Sequence, residues 1–141
     1  MTAMQVTIKH LERVKFAIQA RSHTIQCDQP IENDGDDTGM TPPELMLASL
    51  GSCAAFYAVQ YLKARNLAET GVVVSVNADK LMQPPRLGNF KVNVVCPVSL
   101  TEDQNAGIMR AIHRCLIHNT LLAPPEILIE LTTSETTLHH A

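Results

Sequence analysis

From Leu45 to Leu62 the chain carries no charged residue. The stretch follows Thr41-Pro42-Pro43-Glu44, a capping box with proline in the first turn, where the missing N–H has no helical partner to lose. A helix is therefore predicted from Thr41 to about Asn66, with Lys63 and Arg65 at the negative pole of its dipole. It is apolar on nearly every face. A helix of that kind is buried from all sides or crosses a membrane. Ser49, Gly51, Ser52 and Gln60 interrupt the run and no second such segment exists, so the buried reading is preferred and no membrane partner is expected. One chain of 141 residues covers such a helix poorly. A homodimer that closes over it is the simplest remedy.

The rest of the chain alternates between strand and helix signals. Met4 to Ile8, Val14 to Gln19 and His23 to Cys27 read as strands, and Asp28 to Gly39 as an acidic, turn-rich loop. After the first helix, Gly71 to Asp79 and Phe90 to Val98 alternate as strands on either side of a turn at Pro84-Pro85-Arg86-Leu87-Gly88. Thr101-Glu102-Asp103-Gln104 is a second capping box. The helix it opens is expected to run to Pro124-Pro125 and to bury Ile108, Ile112, Cys115, Leu116 and Asn119. Glu126 to Thr132 closes the order β-β-β-α-β-β-α-β. Hairpin-like pairs outnumber parallel crossovers, so the expected class is α+β with a mostly antiparallel sheet, in one domain over residues 1–141.

Composition narrows the function. The formal charge of −3 gives no electrostatic reason to expect a nucleic acid or an anionic membrane as partner. Met1 to His10 lacks a signal-peptide pattern, and four cysteines without one read as reduced thiols of a cytoplasmic protein.

Those cysteines are the residues most suited to chemistry. Cys53 lies inside the apolar helix beside Ser49, Leu50, Phe56 and Tyr57, and reads either as a small core residue or as a nucleophile. A reactive thiol must be a thiolate, and burial alone opposes that, so donors or a cation must reach Cys53 from another segment. Cys115 has Arg114 beside it and His118 three residues on, on the same side of the predicted helix, with His113 on the opposite side. Either neighbour is able to lower a thiol pKa; an amphipathic helix with a polar rim explains them as well. Cys27 and Cys96 sit in predicted strands and read as packing, although Cys96-Pro97-Val98-Ser99 looks superficially catalytic. Glu44 is nine residues before Cys53, on the opposite helix face, and its capping role explains it. Zinc is disfavoured because no short Cys/His spacing occurs, and no phosphate loop, H-E-x-x-H or nucleophile elbow is present.

The run from Asp28-Gln29-Pro30 through Thr41-Pro42-Pro43-Glu44-Leu45-Met46-Leu47-Ala48-Ser49-Leu50-Gly51-Ser52-Cys53 resembles the osmotically inducible protein C (OsmC) family, which includes the organic hydroperoxide resistance (Ohr) branch. His113-Arg114-Cys115-Leu116-Ile117-His118-Asn119-Thr120-Leu121 resembles that family's second cysteine motif. The resemblance implies an OsmC-like fold: an intertwined homodimer with two long central helices between sheets. It also implies reduction of organic hydroperoxides, with Cys53 attacking, Cys115 resolving, no bound cofactor and an external dithiol reductant. The family commonly has proline where this chain has Leu116. The Ohr branch has its catalytic glutamate where this chain has Pro43, one place before Glu44. Its partner arginine has no clear match; Arg13 and Arg21 are candidates by position. A second function stays open, a non-enzymatic protein holding an apolar small molecule in the groove between subunits.

Overall fold

We describe a computed structural model of the chain; it covers residues 3–134 and the backbone of residues 138–140. Strands β1 (Thr7–Glu12), β2 (Lys15–Ala20) and β3 (His23–Cys27) form an antiparallel meander. Its two tight turns place Arg13 and Arg21 at positive φ, 49° and 54°. A loop containing a single 3-10 turn leads into α1 (Pro42–Ala64). Strands β4 (Val73–Leu81) and β5 (Arg86–Val95) pair as an antiparallel hairpin against α1. Helices α2 (Glu102–Ile112) and α3 (Leu116–Leu122) follow, then β6 (Glu130–Thr132) paired with β7 (Leu138–His140). The class is α+β with antiparallel sheets, as the hydropathy pattern predicts, and among the described residues there are three α-helices where the pattern gives two. β7 lies beyond Glu126 to Thr132, the last strand that the sequence predicts.

Both predicted capping boxes form. Thr41 Oγ1 accepts the Glu44 N–H while the Glu44 carboxylate accepts the Thr41 N–H, and Thr101 and Gln104 repeat the arrangement on α2. In β4 and β5 the alternation holds: Val74 and Val76, like Phe90, Val92 and Val94, face inward while their neighbours face out. The core lies where Ala58, Tyr61 and Leu62 of α1 meet Ile108 and Ala111 of α2. That approach depends on Gly107. A Cβ there would stand 2.7 Å from Tyr61 Cε2, closer than real side chains come. Gly51 lets α1 settle on β4 in the same way, since a Cβ would meet Val76 Cγ2 at 2.9 Å.

The long acidic loop is organised by Asp28, 1 % exposed. Its carboxylate accepts the Thr38 hydroxyl at 2.7 Å and the N–H groups of Gln29, Thr38 and Asp36 at 2.8, 3.0 and 3.2 Å. The Thr38 hydroxyl and these amides outweigh burial and hold the carboxyl well below the ordinary carboxylate range.

Two expectations change. The segment from Thr101 to Leu122 is not one helix. His113 and Arg114 form a turn, Cys115 adopts φ −57° and ψ 122°, and a new helix begins at Leu116. Leu116 is consequently 65 % exposed instead of buried, and Asn119 is exposed too. A single chain thus supplies one long helix, α1. That helix is long and apolar enough to cross a membrane, yet it packs on α2, β4 and β5.

Candidate thiol site

Cys53 sits near the middle of α1, half-buried; Cys115 is completely buried. The break between α2 and α3 is what joins them. Freed from helical geometry, Cys115 becomes the N-cap of α3, and its sulfur accepts the His118 N–H at 3.3 Å. From that position its side chain, with the N–H groups of Ile117 and Leu116, comes near enough to the Cys53 sulfur to favour its ionised form. Both thiols are free.

The electrostatics of the two sulfurs diverge. Burial pushes the Cys53 thiol up, but hydrogen bonding from Cys115 and the Ile117 and Leu116 amides outweighs it, so its pKa falls below the ordinary value of 9.0. Cys115 moves the other way: burial and its role as donor to Cys53 raise it, against the His118 and Ile117 amides. Cys53 is therefore the sulfur that ionises first. Among the described residues the contributors to its shift are hydrogen-bond donors rather than cations.

The remaining candidates separate cleanly. Glu44 stays with Thr41, whose N–H and hydroxyl it accepts at 2.9 Å each, and lines a groove with Ala48, Gly51 and Ser52 on the α1 face turned to β4. Arg13 pairs with Asp36, and Arg21 sits in the β2–β3 turn. Cys27 is buried and Cys96 half-buried; burial raises both thiols. His118 acts on Cys115 through its backbone rather than its ring. His113 does not face away: its ring meets that of His118 edge to face, centroids 5.3 Å apart, because the turn at Arg114 redirects the chain. Both histidines and Cys115 line a cavity of about 430 Å³ whose walls include Leu50, Val92 and Met109. No group of three metal-ligating side chains converges among the described residues.

The Leu116 and Ile117 donors escaped sequence reasoning, since cysteine is an unusual cap and the predicted helix ran through it without a break.

A family model described as OsmC-like protein matches residues 35–130, which include both thiols and all three helices. The chain belongs to the OsmC-like family. Solved structures with the same fold include a protein of Psychrobacter arcticus 273-4 assigned to the osmotic stress and detoxification response (TM-score 0.75, 15 % identity, covering 85 % of this chain and 90 % of that one). An OsmC-like protein of Mycoplasma pneumoniae gives a TM-score of 0.69 at 19 % identity, covering 87 % and 89 %. An organic hydroperoxide resistance protein OsmC of Legionella pneumophila gives 0.57 at 14 % identity, covering 86 % and 90 %. No curated protein matches the sequence. In this OsmC-like chain Leu116 replaces the proline common after the second cysteine. It opens α3 as its first residue, a place proline tolerates, and unlike proline it brings an N–H.

Proposed function

We propose that this chain is a thiol-dependent peroxidase for organic hydroperoxides. The observation that carries the reading is the opposite shift of two neighbouring thiols: Cys115 and the first amides of α3 favour the Cys53 thiolate, while Cys115 itself is raised. The Cys53 thiolate attacks the distal peroxide oxygen; the O–O bond breaks, and the alkoxide takes a proton and leaves as alcohol. Cys53 is now a sulfenic acid. Cys115 attacks the Cys53 sulfur; the S–S bond forms as the S–O bond breaks, and the departing hydroxide takes the proton given up by the Cys115 thiol and leaves as water. An external dithiol supplies two electrons and two protons to restore both thiols. Every step is thiol chemistry, and no bound cofactor enters the proposal.

A cytoplasmic homodimer completes the proposal. Phe56 and Met46 of α1 are 55 % and 39 % exposed, and Ile8 and Ile25 of the meander exceed half exposure. Those faces are apolar enough to be covered by a second copy, whose α1 would supply the second long central helix.

One observation favours a different role. The cavity beside Cys115 is mostly apolar, and Glu44 is committed to its cap, so an apolar ligand held without turnover also fits. Consumption of cumene hydroperoxide with a dithiol reductant separates the two. The peroxidase reading expects turnover that Cys53→Ser abolishes and Cys115→Ser impairs. Equal rates in wild type and Cys53→Ser, with an apolar ligand retained in native mass spectra, would establish the binding role.

A further inference from the structure

A second concave site lies apart from the thiols, between the last turn of α1 and one face of α2. It is a groove of about 590 Å³ lined by Tyr61, Arg65, Gly107, Arg110 and Arg114, among others. Its size falls within the usual range of small-molecule sites. Three arginines line it although the chain as a whole carries a formal charge of −3.

Arginines near helix ends commonly serve the terminal carbonyls. Here five of those carbonyls already have backbone donors. Leu67 and Asn66 donate to Leu62 and Lys63 at the end of α1 (2.9 and 3.1 Å); His113, Arg114 and Cys115 donate to Met109, Ala111 and Ile112 at the end of α2 (3.1, 3.1 and 3.0 Å). The ion pairs among the described residues involve Arg13 and Lys15, and among those residues Arg65, Arg110 and Arg114 have no carboxylate partner. Two of the three are nevertheless positioned. Arg65 Cζ lies 3.8 Å from the Tyr61 ring centroid and Arg114 Cζ 5.6 Å from that of Tyr57. A guanidinium held on a ring keeps its N–H edge free for an oxyanion. Gly107 forms part of the wall and lets Tyr61, with Arg65 over it, come close to α2.

We propose that this groove binds the phosphoryl group of a small phosphorylated organic molecule. One planar carboxylate satisfies one guanidinium fork, whereas a dianionic phosphoryl group offers three acceptor oxygens to three arginines. The volume leaves room for an organic portion. The assignment is independent of the thiol chemistry.

Amide spectra of the full chain titrated at constant ionic strength with inorganic phosphate, ribose 5-phosphate and succinate test it. Saturable shifts at Arg65, Gly107, Arg110 and Arg114 are expected with both phosphates and not with succinate. The exposed-residue variant Arg110→Gln/Arg114→Gln is expected to weaken ribose 5-phosphate binding by about tenfold or more, while Lys9→Gln/Lys91→Gln leaves it unchanged. Shifts that never saturate, equal loss in the lysine variant, equal binding of succinate, or failure of ribose 5-phosphate alone would each overturn the assignment. Melting temperatures close to wild type establish that the glutamine variants are folded.

Discussion

Cys115 and Cys53 lie together and shift in opposite directions: Cys115 favours the Cys53 thiolate, and Cys53 in turn favours the protonated form of Cys115. Cys53 is the accessible, more acidic partner. Cys115 is the buried one and holds its proton longer. The contact exists because α2 stops before Cys115 and α3 starts after it.

The donor role of Cys115 has a direct consequence. Cys115→Ala removes the donor and is expected to raise the Cys53 pKa; Cys115→Ser keeps a hydroxyl donor and is expected to move it less. The pH profile of iodoacetamide labelling at Cys53 measures this. Because the Cys53 pKa is lowered, labelling in wild type should rise through a pH below the ordinary 9.0, and the alanine variant should shift the rise upward.

Leu116→Pro is a separable test of the α3 amides. Proline is compatible with the first helical position, so the melting temperature should change little. The variant lacks the N–H that reaches Cys53, and the same labelling profile is expected to move to higher pH. An unchanged profile in a folded variant would remove Leu116 from the account of the thiolate.

Gly107→Ala should destabilise the fold by about 1–3 kcal/mol, the usual range for overpacking a tight contact. The new methyl group would meet the Tyr61 ring, which belongs to the α1–α2 core and has to move. Urea unfolding read by circular dichroism gives the value. A neutral outcome would show that Tyr61 yields without loss.

Acid sensitivity should trace to the Asp28 loop. Its folded pKa is depressed, chiefly by the Thr38 hydroxyl, so its contribution is present above the unfolded value of about 4 and is lost as pH falls toward the folded one. Thr38→Val is expected to lower the melting temperature at neutral pH. The gap from wild type should narrow as pH drops below about 4, since protonation then removes the advantage of the native loop. A gap independent of pH would assign the loss to packing instead.

Much of this was legible in the sequence because it rests on local rules. Thr41/Glu44 and Thr101/Gln104 announce two helix starts, and alternating valines announce β4 and β5. The same rules explain the failure at Cys115. Ile108, Ile112 and Cys115 keep helical spacing, so periodicity alone carries the predicted helix through the turn at Arg114. The break became visible only in three dimensions, where Cys115 reaches Cys53 and caps α3. It also reversed the reading of His113. By contrast, the separation of Glu44 from Cys53 followed from helix geometry and stands, because α1 is continuous between them.

The central claim is that Cys53 and Cys115 form a catalytic pair. Its most direct test treats the reduced protein with equimolar cumene hydroperoxide, alkylates the remaining thiols and maps peptides by mass spectrometry. The account expects a Cys53–Cys115 disulfide in wild type and, in Cys115→Ser, a sulfenic acid trapped by dimedone at Cys53. Full alkylation of both cysteines after peroxide treatment would contradict it.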